Sequence, residues 1–136
     1  MQLTKNFSLG EMIHSRTANE RGIENVPNDA QIANLKALCE QVLQPARDAI
    51  GRGIAVNSGF RSPALNVAIG GAAKSQHMNG EAADITLGDK TSNMSLFSKI
   101  KELGNYDQLI DEKDYRWIHV SWKRTGGNRK QVLHLK

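Results

Sequence analysis

The sequence predicts an α+β fold: a small, mostly antiparallel sheet with flanking helices and a metal site on the open face of the sheet. Three observations carry this. Residues 29–50 repeat apolar side chains at three- and four-residue steps, which marks one face of an amphipathic helix. Short runs at 54–57, 82–86, 107–112 and 116–122 read as strands, and the last two are close enough in the chain to form an antiparallel hairpin. His77, Asp84 and His119, three side chains of metal-binding type, fall on or beside these runs.

Taken in order, Ser8-Leu9-Gly10-Glu11 has the S-x-x-E form of a capping box, so a short helix begins at Leu9 with Met12 and Ile13 turned inward. Residues 15–20 add another turn or two before Gly22. Pro27 breaks the chain and Asn28 caps the long helix. There Ile32, Leu35, Leu38, Cys39, Val42, Ala46, Ala49 and Ile50 form the apolar face. Pro45 has no N–H to donate and should kink the helix near Gln41, and Gly51 and Gly53 end it. The strand at 54–57 leads into Ser58-Gly59-Phe60-Arg61-Ser62-Pro63, and residues 64–69 make a short helix. Gly70-Gly71 frees the loop that delivers Ser75 and His77. Residues 91–103 form a second helix lined by Leu96, Phe97, Ile100 and Leu103. In the run 116–122 the strand period puts Trp117, His119 and Ser121 on one face and Ile118, Val120 and Trp122 on the other. Residues 132–135 add an edge strand. His14 and His134 read as solvated.

At 136 residues the chain reads as a single domain, 1–136, with 39% hydrophobic and 24% charged content in the ordinary globular range. No run approaches the ~18 apolar residues of a membrane span. Met1 to Gly10 lacks an apolar signal region, so synthesis in the cytoplasm is expected. Cys39, the single cysteine, cannot form an internal disulfide and reads as a small buried hydrophobe. A monomer is expected. The net charge of +4 and pI near 9.4 raise a nucleic-acid reading. However, much of the excess gathers at Lys123, Arg124, Arg129, Lys130 and Lys136, with no aromatic residues interleaved to stack bases. No nucleic-acid partner is therefore expected. A basic surface equally suits an anionic polymer such as a cell wall.

The chemistry concentrates between Val56 and Asp84. His77, Gly80, Ala82 and Asp84 follow the order H-x-x-G-x-A-x-D, and His119 lies further on in Trp117-Ile118-His119-Val120-Ser121. Two neutral imidazoles and one carboxylate suit a Zn²⁺ ion, and three protein ligands leave a fourth corner open, as in catalytic rather than structural sites. One carboxylate leaves the centre positive, which favours a reactive water near neutral pH. Gly80 permits a tight turn between His77 and Asp84, and Ala82 leaves room beside the ion. Arg61 offers a charged fork to a carboxylate or oxyanion. Ser75 either bonds substrate or fixes the loop.

Together, S-G-F-R-S-P at 58–63, S-x-H-x-x-G-x-A-x-D at 75–84 and W-I-H-V-S at 117–121 resemble the zinc D-alanyl-D-alanine carboxypeptidase family of bacterial cell-wall peptidases. The similarity runs from Asn6 to about Trp122 and is nearest to short, phage-associated, endolysin-like members. It implies a hedgehog/D-Ala-D-Ala peptidase-like fold and one zinc held by His77, Asp84 and His119. It further implies that Arg61 contacts substrate or the developing oxyanion, and that the substrate is a peptidoglycan peptide. With no secretory signal, such a wall target would be reached by phage-type release.

The resemblance loosens at the general base. Members often carry a carboxylate three residues before the second histidine, where this chain has Arg116. Nearby acids are Asp111, Glu112 and Asp114. A four-residue hairpin loop puts Glu112 on the face of His119, whereas a three-residue loop puts Asp111 there. Related phage-type sequences carry L-I-x-E, as Leu109-Ile110-Asp111-Glu112 does, so Glu112 is the expected base with Asp114 in reserve. The rival readings are a non-catalytic zinc-bearing module that binds cell wall or protein, and a basic nucleic-acid-binding domain.

Overall fold

The computed structural model describes residues 1–136 as an α+β arrangement of six α-helices and a five-stranded mixed sheet. The hydroxyl of Ser8 accepts from the Glu11 N–H and the Glu11 carboxylate accepts from the Ser8 N–H, starting α1 (Leu9–Ile13) with Met12 fully buried. Ser15 caps α2 (Arg16–Arg21), which stops at Gly22 in the left-handed region. Asn28 and Gln31 form a second reciprocal cap, each accepting the other's backbone N–H at 2.8 Å, and open α3 (Asp29–Leu38).

The expected kink at Pro45 takes the form of a π turn. Between α3 and α4 (Gln44–Ile50), residues Cys39–Leu43 widen, and the Gln44 N–H reaches the Cys39 carbonyl five residues back. Proline cannot donate to Gln41, so the helix takes up one extra residue rather than breaking. That residue rotates everything beyond it. Leu43, absent from the expected apolar face, is fully buried, and Ala49, assigned to that face, is exposed.

The strands are β1 (Ala55–Ser58), β2 (Ala82–Thr86), β3 (Gln108–Glu112), β4 (Trp117–Ser121) and β5 (Gln131–Leu135), in spatial order β1-β2-β4-β3-β5. Three neighbouring pairs are antiparallel, and the edge pair β3–β5 is parallel. Between β1 and β2 lie the short α5 (Pro63–Ala68) and a 3₁₀ turn at Gln76–Asn79. No helix is long and apolar enough to cross a membrane.

One sheet face is dry. Ala83, Ile85, Leu109, Ile118 and Val120 point into a core shared with Leu35, Leu38 and α6 (Lys90–Leu103). Each such large side chain contributes roughly 1.5–3 kcal/mol by burial. On α6 the inward residues are Asn93, Leu96, Phe97 and Ile100, while Leu103, expected on that face, is exposed beside the Gly104 cap. Asn93 escapes an apolar pattern because it is polar. Its side chain accepts from the Leu87 N–H and donates to the Tyr115 and Arg116 carbonyls, tying α6 to the β3–β4 loop. His134 is not simply solvated: its ring pairs with the buried carboxylate of Asp111 across β3–β5, although most of the side chain stays exposed.

Asp107, just before β3, is fully buried and accepts from the Arg129 N–H, Nε and NH2, at 2.7–3.0 Å, and from Gln76 Nε2 at 3.0 Å. Burial opposes its ionisation, but the Arg129 and Gln76 donors win and hold its pKa at about 2. A carboxyl depressed on folding stabilises the native state above its unfolded pKa of about 3.9 and loses that contribution as pH falls through the folded value. Melts should therefore show stability dropping between about pH 4 and pH 2. Asp107→Asn should flatten that drop and cost about 1–3 kcal/mol at pH 7. A drop unchanged in Asp107→Asn would contradict this assignment.

Candidate metal centre

His77 sits in the 3₁₀ turn, which Ser75 caps by accepting the His77 N–H at 3.2 Å. The turn closes at Gly80, whose φ of +73° belongs to the left-handed region. A side chain there would also lie 2.6 Å from the Gln31 carbonyl, so glycine is required twice over. Asp84 and His119 occupy the centres of β2 and β4 and are directly opposed in the pairing register. Cross-strand partners bring their Cβ atoms within about 5.5 Å, which puts both side chains beside the turn.

His77 Nδ1 lies 2.7 Å from the Gly59 carbonyl, which can only accept, so Nδ1 carries the proton and Nε2 keeps its lone pair for a metal. Asp84 Oδ1 is 3.4 Å from His77 Nε2 and 3.0 Å from His119 Nδ1. One ligand atom from each residue lies within 4.8 Å of the others. Zinc bonds of about 2.0–2.2 Å to nitrogen and oxygen in a tetrahedron require ligand–ligand edges of about 3.3 Å. The donor set and its spacing fit the ion. Burial opposes the charge on Asp84, yet its close contacts with His119 and His77 outweigh that cost and hold its carboxyl well below the usual carboxylate range. Its anionic form is the form a cation needs.

Asp84 uses its second oxygen differently. Oδ2 accepts from Arg61 NH2 at 3.3 Å, while Arg61 Nε donates to Ser58 Oγ at 2.9 Å and NH1 to Asn66 Oδ1 at 3.3 Å. A bulge in β1 between Val56 and Ser58 sets Ser58 opposite Asp84. Burial lowers the pKa of the Arg61 guanidinium, against the opposing charges of Asp84 and Glu112. The Arg61 N–H donates to the His77 carbonyl at 3.0 Å, so the arginine turn and the histidine turn are locked together.

The cleft around these groups has a volume of ≈ 290 Å³, and Ser75, Glu112 and Trp117 also line it. Glu112 pairs with Trp117 across a four-residue loop, and Ile110 pairs with His119, so Glu112 shares the cleft with the two histidines. Trp117 Nε1 donates to Glu112 Oε2 at 3.1 Å. The register turns Asp111 to the opposite face, and Asp114 is paired with Lys90 at 2.7 Å in the loop. Neither Asp111, the alternative under a three-residue loop, nor Asp114, the reserve, lines this cleft.

Several supporting residues escaped the sequence reading. Ser58 and Asn66 hold Arg61. Asn25, an unremarked loop residue, donates to the Ile13 and Phe60 carbonyls and accepts from the Ser62 N–H at 2.6 Å. Gly59 must be bare because a Cβ would sit 2.2 Å from the Met12 carbonyl, the group that also receives the Phe60 N–H. Gly70 does have the left-handed φ that a freed loop needs. Gly71 is small for another reason: a Cβ would lie 2.0 Å from Asn66 Oδ1 and 3.0 Å from Arg61 NH1. The adjacent glycines were the available signal for that pairing.

Comparison with known proteins gives two matches. A family model described as peptidase M15 matches residues 5–121. A zinc D-Ala-D-Ala carboxypeptidase from Streptomyces albus G is 49% identical over 49 residues, a segment covering 35% of this chain and 19% of that protein.

Proposed function

Because the chain belongs to the peptidase M15 family, we propose that it is a zinc-dependent peptidase hydrolysing peptide bonds in bacterial peptidoglycan. The observation that carries this is the convergence of His77 Nε2, Asp84 Oδ1 and His119 Nδ1 at zinc-ligand spacing on the wall of a cleft. When bound, zinc supplies Lewis acidity, polarising a carbonyl and lowering the pKa of water to about 7.

The side chains supply the rest. Arg61 is held on three sides by Ser58, Asn66 and Asp84, so its charge is already aimed when negative charge develops on the scissile carbonyl oxygen. Glu112 takes a proton from the attacking water and returns it to the leaving amine, with Trp117 holding one carboxylate oxygen and leaving the other free. Ser75 caps the histidine turn and also presents its hydroxyl to the peptide from the cleft wall. The Leu109-Ile110-Asp111-Glu112 run supports an endolysin-like, phage-associated role. Arg116, standing where relatives often carry an acid, favours a second reading: a zinc-bearing module that binds wall without cutting it.

The test is digestion of purified peptidoglycan by the zinc-loaded chain, read by mass spectrometry. Fragments carrying one added water per cut are expected, lost with a chelator and restored by Zn²⁺. Their masses also identify the scissile bond. An undigested wall would contradict the proposal. A finer check lies in Gly71→Ala, where the new methyl displaces Asn66 from Arg61. Turnover should fall about 10–100-fold with zinc content unchanged. Unchanged turnover would remove Arg61 from the mechanism.

A further inference from the structure

The metal cleft continues past His119. Ala72, Ser75 and His119 are shared with a second hollow of ≈ 310 Å³, whose remaining wall includes Lys74, Gln108 and Arg129. No acidic side chain lines it. Lys74 is exposed and forms no ion pair. Arg129 is half-exposed and fixed from behind: Asp107 takes its Nε at 3.0 Å and its NH2 at 2.7 Å, leaving NH1 without a protein partner. Asp107 balances the charge of Arg129, so Lys74 provides the net positive charge and Arg129 a directed, pre-oriented donor.

We propose that this hollow is a subsite for a substrate carboxylate, received by Lys74 and Arg129 when a peptide lies across the metal centre with its scissile bond at His77, Asp84 and His119. The assignment rests on the peptidase reading and narrows it, since it selects wall peptides that carry a free carboxylate a residue or more from the cut. That carboxylate is either the C-terminus or an acidic side chain. In both cases the same two cations would recognise it.

The experiment uses the zinc-loaded full chain and one stem peptide in three forms: free acid, C-terminal amide and side-chain amide. Binding is measured by calorimetry and kcat/KM by chromatography. Wild type is expected to prefer the free acid over one of the two amides, and which amide suffers tells which carboxylate is read. Lys74→Glu, a change at an exposed residue, should reduce that preference about five- to tenfold, chiefly through KM and Kd. Equal binding of all three forms by wild type would overturn the proposal, as would a preference unaltered in Lys74→Glu. So would an equal loss on every form. If the acid is preferred in binding but nothing is cut, the subsite stands and the peptidase reading fails.

Discussion

His77→Ala is expected to lose bound zinc and peptidoglycan hydrolysis together. Nε2 of His77 is the one imidazole nitrogen whose availability the fold enforces, because the Gly59 carbonyl fixes the proton on the other side of the ring. Without it, Asp84 and His119 remain as a facing pair, and the Asp84 carboxylate is left to Arg61 and His119. Two ligands do not hold a catalytic zinc against dilution. Hydrolysis should fall by more than about a thousandfold, beyond the cost of deleting one oxyanion donor. Metal analysis of the purified variant beside its turnover checks this. Zinc retained at the wild-type level would show that His77 is no ligand.

Glu112→Gln is expected to separate chemistry from binding. The amide keeps the shape and can still accept from Trp117 Nε1, but it cannot take a proton from water. The rate constant kcat should drop about 10²–10⁴-fold while zinc content and KM change little, the pattern of a group acting only in the transition state. A module that merely binds the wall would bind as before and show no cutting in either form. Full activity in Glu112→Gln would pass the proton-transfer role to another group.

The legible parts of this molecule were those written in local code. Capping boxes at Ser8 and Asn28 need only side chains three residues apart, so they could be read before any folding. The three candidate ligands stood out in the sequence because a glycine-closed turn and two strand centres leave a spacing signature, and the fold brings them together. The place of Glu112 was half legible: whether it or Asp111 shares the face of His119 depended on loop length, and the Glu112–Trp117 pairing puts Glu112 there. Long-range polar ties left no such trace. Asn25 reaches Phe60 and Ser62, Asn93 reaches Tyr115 and Arg116, and Asp107 reaches Gln76 and Arg129, each by partners remote in sequence. The π turn was foreshadowed by Pro45 only as a kink, and its one-residue rotation is what moved Leu43 inward and Ala49 out.

Whether three side chains share one ion is open to anomalous diffraction at the zinc edge, from crystals of the zinc-loaded chain. A peak is expected bonded to His77 Nε2, a carboxylate oxygen of Asp84 and a ring nitrogen of His119, at about 2.0–2.2 Å from each. A peak elsewhere, or a cleft empty of zinc in crystals grown with saturating metal, would rule the shared ion out.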